Sequence, residues 1–282
     1  MKLAQIRDSL GVITAAIAEN GGFRPIPGHT MVSLIEKAEG ENRELAGVAS
    51  ELASSETVSS EAAIPIHPPE VWACGCTYAP SAEFRDAEHG TRGGFYSYVH
   101  DQNHRPEIFF KGTNRVCVGP GEPIGIRSDS KFTAPEPELA VIINSQGKLL
   151  GYTIGNDVSA WDIERENPLY LPQSKFYAAC CSLGPVIVTP DEIPDPYDLD
   201  MTCTITRGDQ TTFEGSVSTS KLRRKIEDLI GCLMRSNPVP SATVVLTGTG
   251  IIVTQEAALA PGDIVTIEAP PIGKLVNPAV VV

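Results

Sequence analysis

No run of 18 or so apolar residues occurs in the 282-residue chain, so no helix of it is expected to span a membrane. The basic excess that a nucleic-acid partner requires is missing too. Only 22 Lys and Arg stand against 35 Asp and Glu, a net charge of −13, where phosphate recognition calls for a positive footprint. The first 17 residues carry Lys2, Arg7 and Asp8 and no continuous apolar stretch, which is not the pattern of a secretory leader. Cysteine pairs at zinc-site spacing are also absent. Cys74 and Cys76 have one residue between them, and no second Cys or His pair follows at the required distance. With Cys117, Cys180, Cys181, Cys203 and Cys232 the count is seven, and an odd number without a leader reads as reduced thiols in a cytoplasmic protein. What these absences leave is a globular chain of ordinary apolar content, 41%, with small molecules as its partners. Its acidity does not exclude an anionic substrate, because a metal ion and a few local cations invert the potential within one pocket.

Against these absences stands one stretch, residues 135–185. Glu136 and Glu138 sit two apart, before the run Leu139, Ala140, Val141, Ile142, Ile143. If the strand already begins at Glu136, both carboxylates project from one face. Like charges held side by side repel, and burying them costs several kcal/mol more unless a cation neutralises them. A hard divalent ion with oxygen ligands meets that need, and octahedral Mg²⁺ takes a few carboxylates and keeps several waters. Asp157, after a second strand-like run over residues 149–154, is the candidate third oxygen donor. Lys175, the only lysine between Lys148 and Lys221, is the candidate titratable cation nearby. The spacing alone also fits two solvent-facing strand carboxylates, and Lys175 alone also fits a solvated surface lysine.

Along the chain, residues 2–19 repeat apolar side chains at Leu3, Ile6, Leu10, Ile13, Ala16 and Ile17. That is helical spacing, stopped by Asn20-Gly21-Gly22. A short helix is expected from His29-Thr30 to Ala38. Pro65, Pro68 and Pro69 mark a boundary between a small N-terminal α/β domain, residues 1–65, and a catalytic domain, residues 66–282. In the larger part, residues 71–76 form an apolar strand that delivers Thr77-Tyr78. Residues 79–105 are polar and without clear periodicity, as a functional lid is. EIFFK, residues 107–111, is a strand. Many short β-rich runs follow, with one helix over residues 221–234 capped by Thr219 or Ser220. Its apolar face is Leu222, Ile226, Leu229, Ile230 and Leu233. The class is therefore α+β, mostly β.

The phrases EPELAVII, GYTIGNDVSAWD, ENPLYLPQSK and CSLGPVIVT, in this order, resemble the fumarylacetoacetate hydrolase family. Within it they are most similar to the 2-keto-3-deoxy sugar-acid dehydratases, with ENPLYLPQSK the most branch-specific phrase. The resemblance runs over residues 70–282. It implies the family's mixed β-roll, and Mg²⁺ (with Mn²⁺ or Ca²⁺ as substitutes) held by Glu136, Glu138 and Asp157. It places the active-site lysine at Lys175, the branch's acid/base glutamate at Glu107 and a substrate-contacting threonine at Thr249, and it implies a homodimer or homotetramer. Read without the resemblance, Glu107 is also a strand-start carboxylate and Thr249 also a turn residue between glycines. Close to a metal ion the Lys175 amine would titrate lower, as a proton acceptor or an oxyanion partner.

One departure is informative. Hydrolases of the family carry N-Y-x-x-H-x-x-E where this chain reads T-Y-A-P-S-A-E-F, residues 77–84. Ser81 replaces the histidine and Phe84 the glutamate of the dyad that activates water, and a serine without a basic partner is a poor general base near neutral pH. Thr77, Tyr78, Ser81 and Arg85 are the expected substrate contacts, with Arg85 and the lid's hydroxyls at the sugar end. The reaction expected is loss of water, syn or anti, from a 2-keto-3-deoxy aldonate, with Lys175 or Glu107 as the base and Glu107 as the acid. A pentonate would give 2,5-dioxopentanoate. The alternative is metal-dependent hydrolysis of a 2,4-diketo-3-deoxy sugar acid, its water activated by Glu83 or by a lid histidine among His89, His100 and His104.

Overall fold

The computed structural model describes every residue except Ser9, Asn20 and residues 90–93. Asn20 of the expected helix stop and Gly90 and Gly93 of the expected lid therefore lie outside the described residues, as does the side chain of His89. Among the described residues there are seventeen strands and seven α-helices. In chain order they begin with β1 (Lys2–Arg7), β2 (Ile13–Glu19), β3 (Gly22–Pro25), α1 (Met31–Gly40) and α2 (Leu45–Leu52). Next come β4 (Val71–Gly75), α3 (Ala79–His89), α4 (Phe95–His100), β5 (Glu107–Gly112), β6 (Cys117–Val118), β7 (Ile124–Ile126) and β8 (Thr133–Ala134). The stretch singled out above supplies β9 (Pro137–Ile143), β10 (Leu149–Asp157), β11 (Ser159–Ala160), α5 (Trp161–Glu166), α6 (Leu171–Lys175) and β12 (Cys181–Val188). The chain closes with β13 (Asp200–Arg207), β14 (Gln210–Ser218), α7 (Ile226–Met234), β15 (Thr243–Leu246), β16 (Ile264–Ala269) and β17 (Gly273–Val281).

Ten strands make one sheet in the order β3-β2-β1-β12-β10-β9-β15-β4-β5, with β6 alongside β12. Only residues 113–116 separate β5, at one end of this order, from β6, which pairs with β12 beyond the sheet's middle. The sheet must therefore curl, and the mostly-β roll expected above is what results. All seven residues of β9 are buried, because the strand lies between β10 and β15 and both its faces are covered. Leu139, Val141 and Ile143 face one core, shared with α7 and a five-stranded sheet ordered β14-β13-β16-β17-β7. Ala140 and Ile142 face the other, shared with α1 and α2. Period-2 side chains on a doubly covered strand give this split.

The helix expected over residues 2–19 is instead the hairpin β1–β2, paired with Leu3 opposite Ile17 and Ile6 opposite Thr14. Its turn is local chemistry. The Asp8 carboxylate accepts from the N–H groups of Leu10 and Val12 at 2.9 and 2.8 Å, and Gly11 takes φ +84°. An Asp that folds the chain back on itself, followed by a left-handed glycine, outweighs a 3.6-residue apolar rhythm. Leu10, which the helix would have buried, is 87% exposed. The N-terminal strands extend the large sheet, since β1 pairs with β12.

Of two expected helices, one is found in place and one shifts. The short helix after His29 is present as α1, and Thr30 and Ser33 cap it reciprocally. The helix expected from residue 221 starts only at Ile226, with an extended Lys225 as its cap rather than Thr219 or Ser220. Residues 222–225 are held out of it because the Arg223 N–H donates to the Thr77 carbonyl. The Arg224 guanidinium meanwhile binds the carbonyls of Val99, Asp101 and His104 at 2.7, 2.7 and 2.9 Å. The same contacts pin the segment read as an irregular lid, which contains α3 and α4.

Immediately before β16, buried Asp263 receives both forks of Arg207 at 2.8 Å and the Ala260 N–H at 2.8 Å. Burial pushes this carboxyl up, but the guanidinium and the N–H outweigh it and hold it below its ordinary value. A lowered folded-state value contributes stability above the unfolded aspartate's value of about 3.9 that is lost as the pH falls below it. Asp263→Asn should cost about 1–2 kcal/mol at pH 7, discounted because Arg207 is half exposed. A denaturant titration at pH 7 and pH 3 checks this: the gap between variant and parent should narrow in acid.

Candidate active site

β9 and β10 run antiparallel, with Glu138 opposite Gly155 and Pro137 opposite Asn156. This brings the start of one strand to the end of the other. The Asp157 N–H donates to the Glu136 carbonyl at 3.0 Å, and the Glu136 N–H donates to Asn156 Oδ1 at 3.0 Å. The backbone thus presses three carboxylates together: Glu136, Glu138 and Asp157 each offer an oxygen within 4.8 Å of the others, and all three are buried. The Glu138 Oε2 accepts the Gly248 N–H at 2.5 Å. Gly248 has φ +95°, and a Cβ there would stand 2.0 Å from Thr77 Oγ1, so only glycine lets that amide come so close.

Lys175 closes one side. Its ammonium donates to Glu136 Oε1 at 2.9 Å and to Ser159 Oγ at 2.6 Å, with Asp157 Oδ2 at 3.3 Å. Burial works against this charge, but Asp157, Glu136 and Glu164 outweigh it and raise its pKa above the ordinary lysine value. Among the side chains themselves, three carboxylates hold the proton on. Lys111, fully buried, closes the other side at 2.5 Å from Asp157 Oδ1, and donates to the Val158 carbonyl at 3.0 Å. Burial opposes its charge as well, and Asp157 again wins.

A second ionic group adjoins the first. Arg85 of α3 binds Glu107 with both forks, at 2.6 and 3.3 Å, and its Nη2 also donates to Glu164 of α5. Burial pushes the Glu164 carboxyl up, yet Arg85 and Lys175 hold it below the ordinary glutamate value. Its other oxygen lies 3.9 Å from the Lys175 ammonium. The Tyr96 ring of α4 covers the guanidinium, 4.3 Å from its centroid.

A charge count tests whether a cation belongs here. Among the described residues, and with every group ionised, five carboxylates (Glu107, Glu136, Glu138, Asp157 and Glu164) meet three cations (Arg85, Lys111 and Lys175), and two negative charges remain. That is the charge of one divalent ion. Burial first, then Asp157 and Glu136, push Glu138 well above the ordinary glutamate value, with the Gly248 N–H pulling the other way. Burial likewise raises Glu136, against the pull of Lys175. The donor set is all oxygen, which suits Mg²⁺, and Glu136, Glu138 and Asp157 are the residues that would hold it.

The other expected contacts are placed as follows. Thr77 is buried, and its hydroxyl donates to the Thr247 carbonyl at 2.7 Å. Tyr78 is buried, which raises its phenol pKa above the ordinary value. Ser81 and Thr249 are buried too, and the Thr249 hydroxyl accepts the Ile251 N–H at 3.1 Å. Arg85, expected at the sugar end of a substrate, is occupied by Glu107 and Glu164. The candidates for activating water are dispersed. Glu83 is exposed, and Phe84 stacks edge-on against Trp161 at 5.3 Å. His100 has its Nδ1 2.7 Å from the Cys76 carbonyl, and His104 lies flat on Tyr98 at 3.6 Å. Lys111 and Glu164 are residues that the sequence reading passed over. Both had a signal: Glu107, Phe109 and Lys111 alternate onto one face of EIFFK, and Glu164 follows Trp161 by one helical turn.

Known proteins resemble this chain in sequence and in fold. The family model described as fumarylacetoacetate (FAA) hydrolase C-terminal matches residues 74–280. The 2-dehydro-3-deoxy-D-arabinonate dehydratase of Saccharolobus solfataricus is 54% identical over 217 residues, 76% of this chain and 72% of that protein. A Haloferax volcanii protein named "Probable 2-keto-3-deoxyxylonate dehydratase" is 43% identical over 220 residues, 78% of this chain and 75% of its own. Among solved structures, 2-keto-3-deoxy-D-arabinonate dehydratase complexed with magnesium and 2,5-dioxopentanoate superposes with a TM-score of 0.84. It is 41% identical and covers 99% of this chain and 98% of its own.

Proposed function

Since this chain belongs to the fumarylacetoacetate hydrolase family, we propose that it is a Mg²⁺-dependent dehydratase that converts a 2-keto-3-deoxypentonate into 2,5-dioxopentanoate and water. The observation that carries the reading is the buried trio Glu136, Glu138 and Asp157, which among the described residues is short of two positive charges and flanked by no histidine–glutamate dyad. The relatives named above as dehydratases support the substrate class. Bound to the trio, a magnesium ion would supply Lewis acidity toward the keto acid. Mn²⁺ and Ca²⁺, equally oxygen-loving, are the expected substitutes.

The protein's own groups divide the rest. Lys175, its ammonium lying between Glu136 and Asp157, stabilises negative charge on the keto-acid head. Glu107, oriented by both forks of Arg85, takes the C3 proton and returns it to the departing C4 hydroxyl, which leaves as water. One carboxylate serving both ends implies syn elimination. The C3=C4 double bond formed is conjugated with the keto group. Moving a C5 proton to C3 gives an enol that tautomerises to the C5 aldehyde. Thr77, Tyr78, Ser81 and Thr249 are read as substrate contacts, with Arg85 acting through Glu107. Residues 1–65 are read as a unit apart from the chemistry, since the family match starts at residue 74.

We read the protein as a cytoplasmic homodimer or homotetramer. Its seven cysteines are all free, no described helix is long and apolar enough to cross a membrane, and Leu169, Phe95 and Tyr98 expose apolar surface. Product analysis across 2-keto-3-deoxypentonates, the matching hexonates and 2,4-diketo-3-deoxy sugar acids, with and without Mg²⁺, tests the assignment. Dioxopentanoate should appear from a pentonate, and chelation of the metal should stop it. Inert pentonates together with cleavage of a diketo acid to pyruvate and a second acid would overturn the reading in favour of hydrolysis.

A further inference from the structure

The geometry points to Glu164 as a positioning residue that sets the distance between the Lys175 ammonium and the Glu107 carboxylate, an inference that rests on the dehydratase reading above. Among the described residues, Glu164 is the carboxylate that touches both Arg85 and Lys175. It is 1% exposed. One oxygen accepts from Arg85 Nη2. The other faces Lys175 at 3.9 Å and accepts the Ser174 hydroxyl at 3.4 Å. The result is a continuous chain of alternating charge, Glu107–Arg85–Glu164–Lys175–Glu136, drawn from five elements or their immediate flanks: β5, α3, α5, α6 and the entry to β9.

Each end of this chain has a task in the proposed reaction. Lys175 attends the keto-acid head, and Glu107 must reach C3 and C4 of the same molecule. Their separation is not set by one rigid strand, because they sit on α6 and β5. It is set by the two ions between them. The site's apolar packing supports the same docking: Phe84, next to Arg85 on α3, meets Trp161, one turn before Glu164 on α5, at 5.3 Å. A neutral side chain at position 164 would keep the shape but release one hand of Arg85, so that Glu107 could swing with it. Misplacement of a reacting group by about 1 Å costs on the order of 10²-fold in rate.

The test is Glu164→Gln in the full-length, Mg²⁺-loaded enzyme, with kcat and KM measured on the pentonate that the parent turns over. kcat should fall about 10- to 100-fold while KM and calorimetric Mg²⁺ affinity stay within about threefold, because the interaction acts in the transition state rather than in binding. Arg85→Lys should lower kcat by itself, since one ammonium cannot hold two carboxylates. Adding Glu164→Gln to it should lower kcat no further, as expected for residues acting as one unit. If Glu164→Gln fails to fold, Ser174→Ala decides: it removes the hydroxyl from the same carboxylate and should lower kcat about two- to fivefold at unchanged KM. Parental kcat in Glu164→Gln, or additive losses in the double variant, overturns the inference while leaving the dehydratase reading intact. A parent inactive on all pentonates overturns that reading first.

Discussion

Glu138→Gln is expected to abolish metal-dependent turnover and to make the metal-free protein more stable. The two effects share one cause. Among the described residues, Glu138 is the member of the trio with no ion pair of its own: Lys175 attends Glu136 and Asp157, and Lys111 attends Asp157. Its charge is met by one backbone N–H, from Gly248, and by Lys175 without direct contact. Glutamine keeps the shape, and its amide oxygen can still accept that N–H, but it brings no charge to a divalent ion. Losing a few kcal/mol of Lewis-acid stabilisation corresponds to about 10³-fold in kcat/KM. The metal-free Tm should rise, by about 2–4 °C for each kcal/mol of repulsion relieved. The pH dependence adds a sign. Burial and the neighbouring carboxylates raise Glu138 in the folded state, so the folded protein binds a proton that the unfolded chain releases. The metal-free parent should therefore lose stability as the pH rises from about 4.3 through the raised folded value, and the glutamine variant should lose less over that window. Calorimetric Mg²⁺ titration and Tm against pH measure both. A variant with the parental rate would end the assignment of the trio as a metal site.

How much of this was legible in the residues themselves follows from how local each signal is. β9 begins at Pro137, so the strand places Glu138, while Glu136 just before it is held alongside by its backbone bonds to Asn156 and Asp157. Asp157 joins them because β10 pairs directly with β9, a relation between neighbouring segments. Lys111 and Glu164 were harder. Neither is odd in its own segment, and their meaning arises only when the sheet curls to bring β5 against α6 and when α3 docks on α5. Arg85 shows the same limit from the other side. It was visible as a cation near the site, but not that two carboxylates had claimed it. The first hairpin was misread because apolar spacing at 3, 6, 10, 13, 16 and 17 fits a helix, while the decisive information was one carboxylate folding back on Leu10 and Val12. The late start of α7 is likewise tertiary, since Arg223 and Arg224 are held by Thr77 and by the end of α4 with the segment after it.

Lys111→Met should show whether the lysine that sequence reading passed over is part of the charge balance. Methionine nearly matches the lysine stem in volume and is apolar, so it opens little cavity. What it removes is the ammonium 2.5 Å from Asp157 Oδ1 and the donor to the Val158 carbonyl. Breaking a buried ion pair from one side costs about 3–5 kcal/mol, because the remaining charge is left in a low-dielectric interior without a partner. Here the penalty is compounded, since with every described group ionised the cluster has two surplus negative charges and would have three. The metal-free variant should therefore melt on the order of 10 °C below the parent. A bound divalent ion would meet the same orphaned carboxylate, and at 100 times its dissociation constant any ligand of the folded state adds about 2.7 kcal/mol. Mg²⁺ should accordingly raise the variant's Tm by more than the parent's. That difference separates an electrostatic role for Lys111 from mere filling of space: a packing defect would lower Tm equally with and without the ion. If Lys111→Met melts within about 2 °C of the parent in the absence of metal, Asp157 does not depend on this lysine and the count of two surplus charges is wrong.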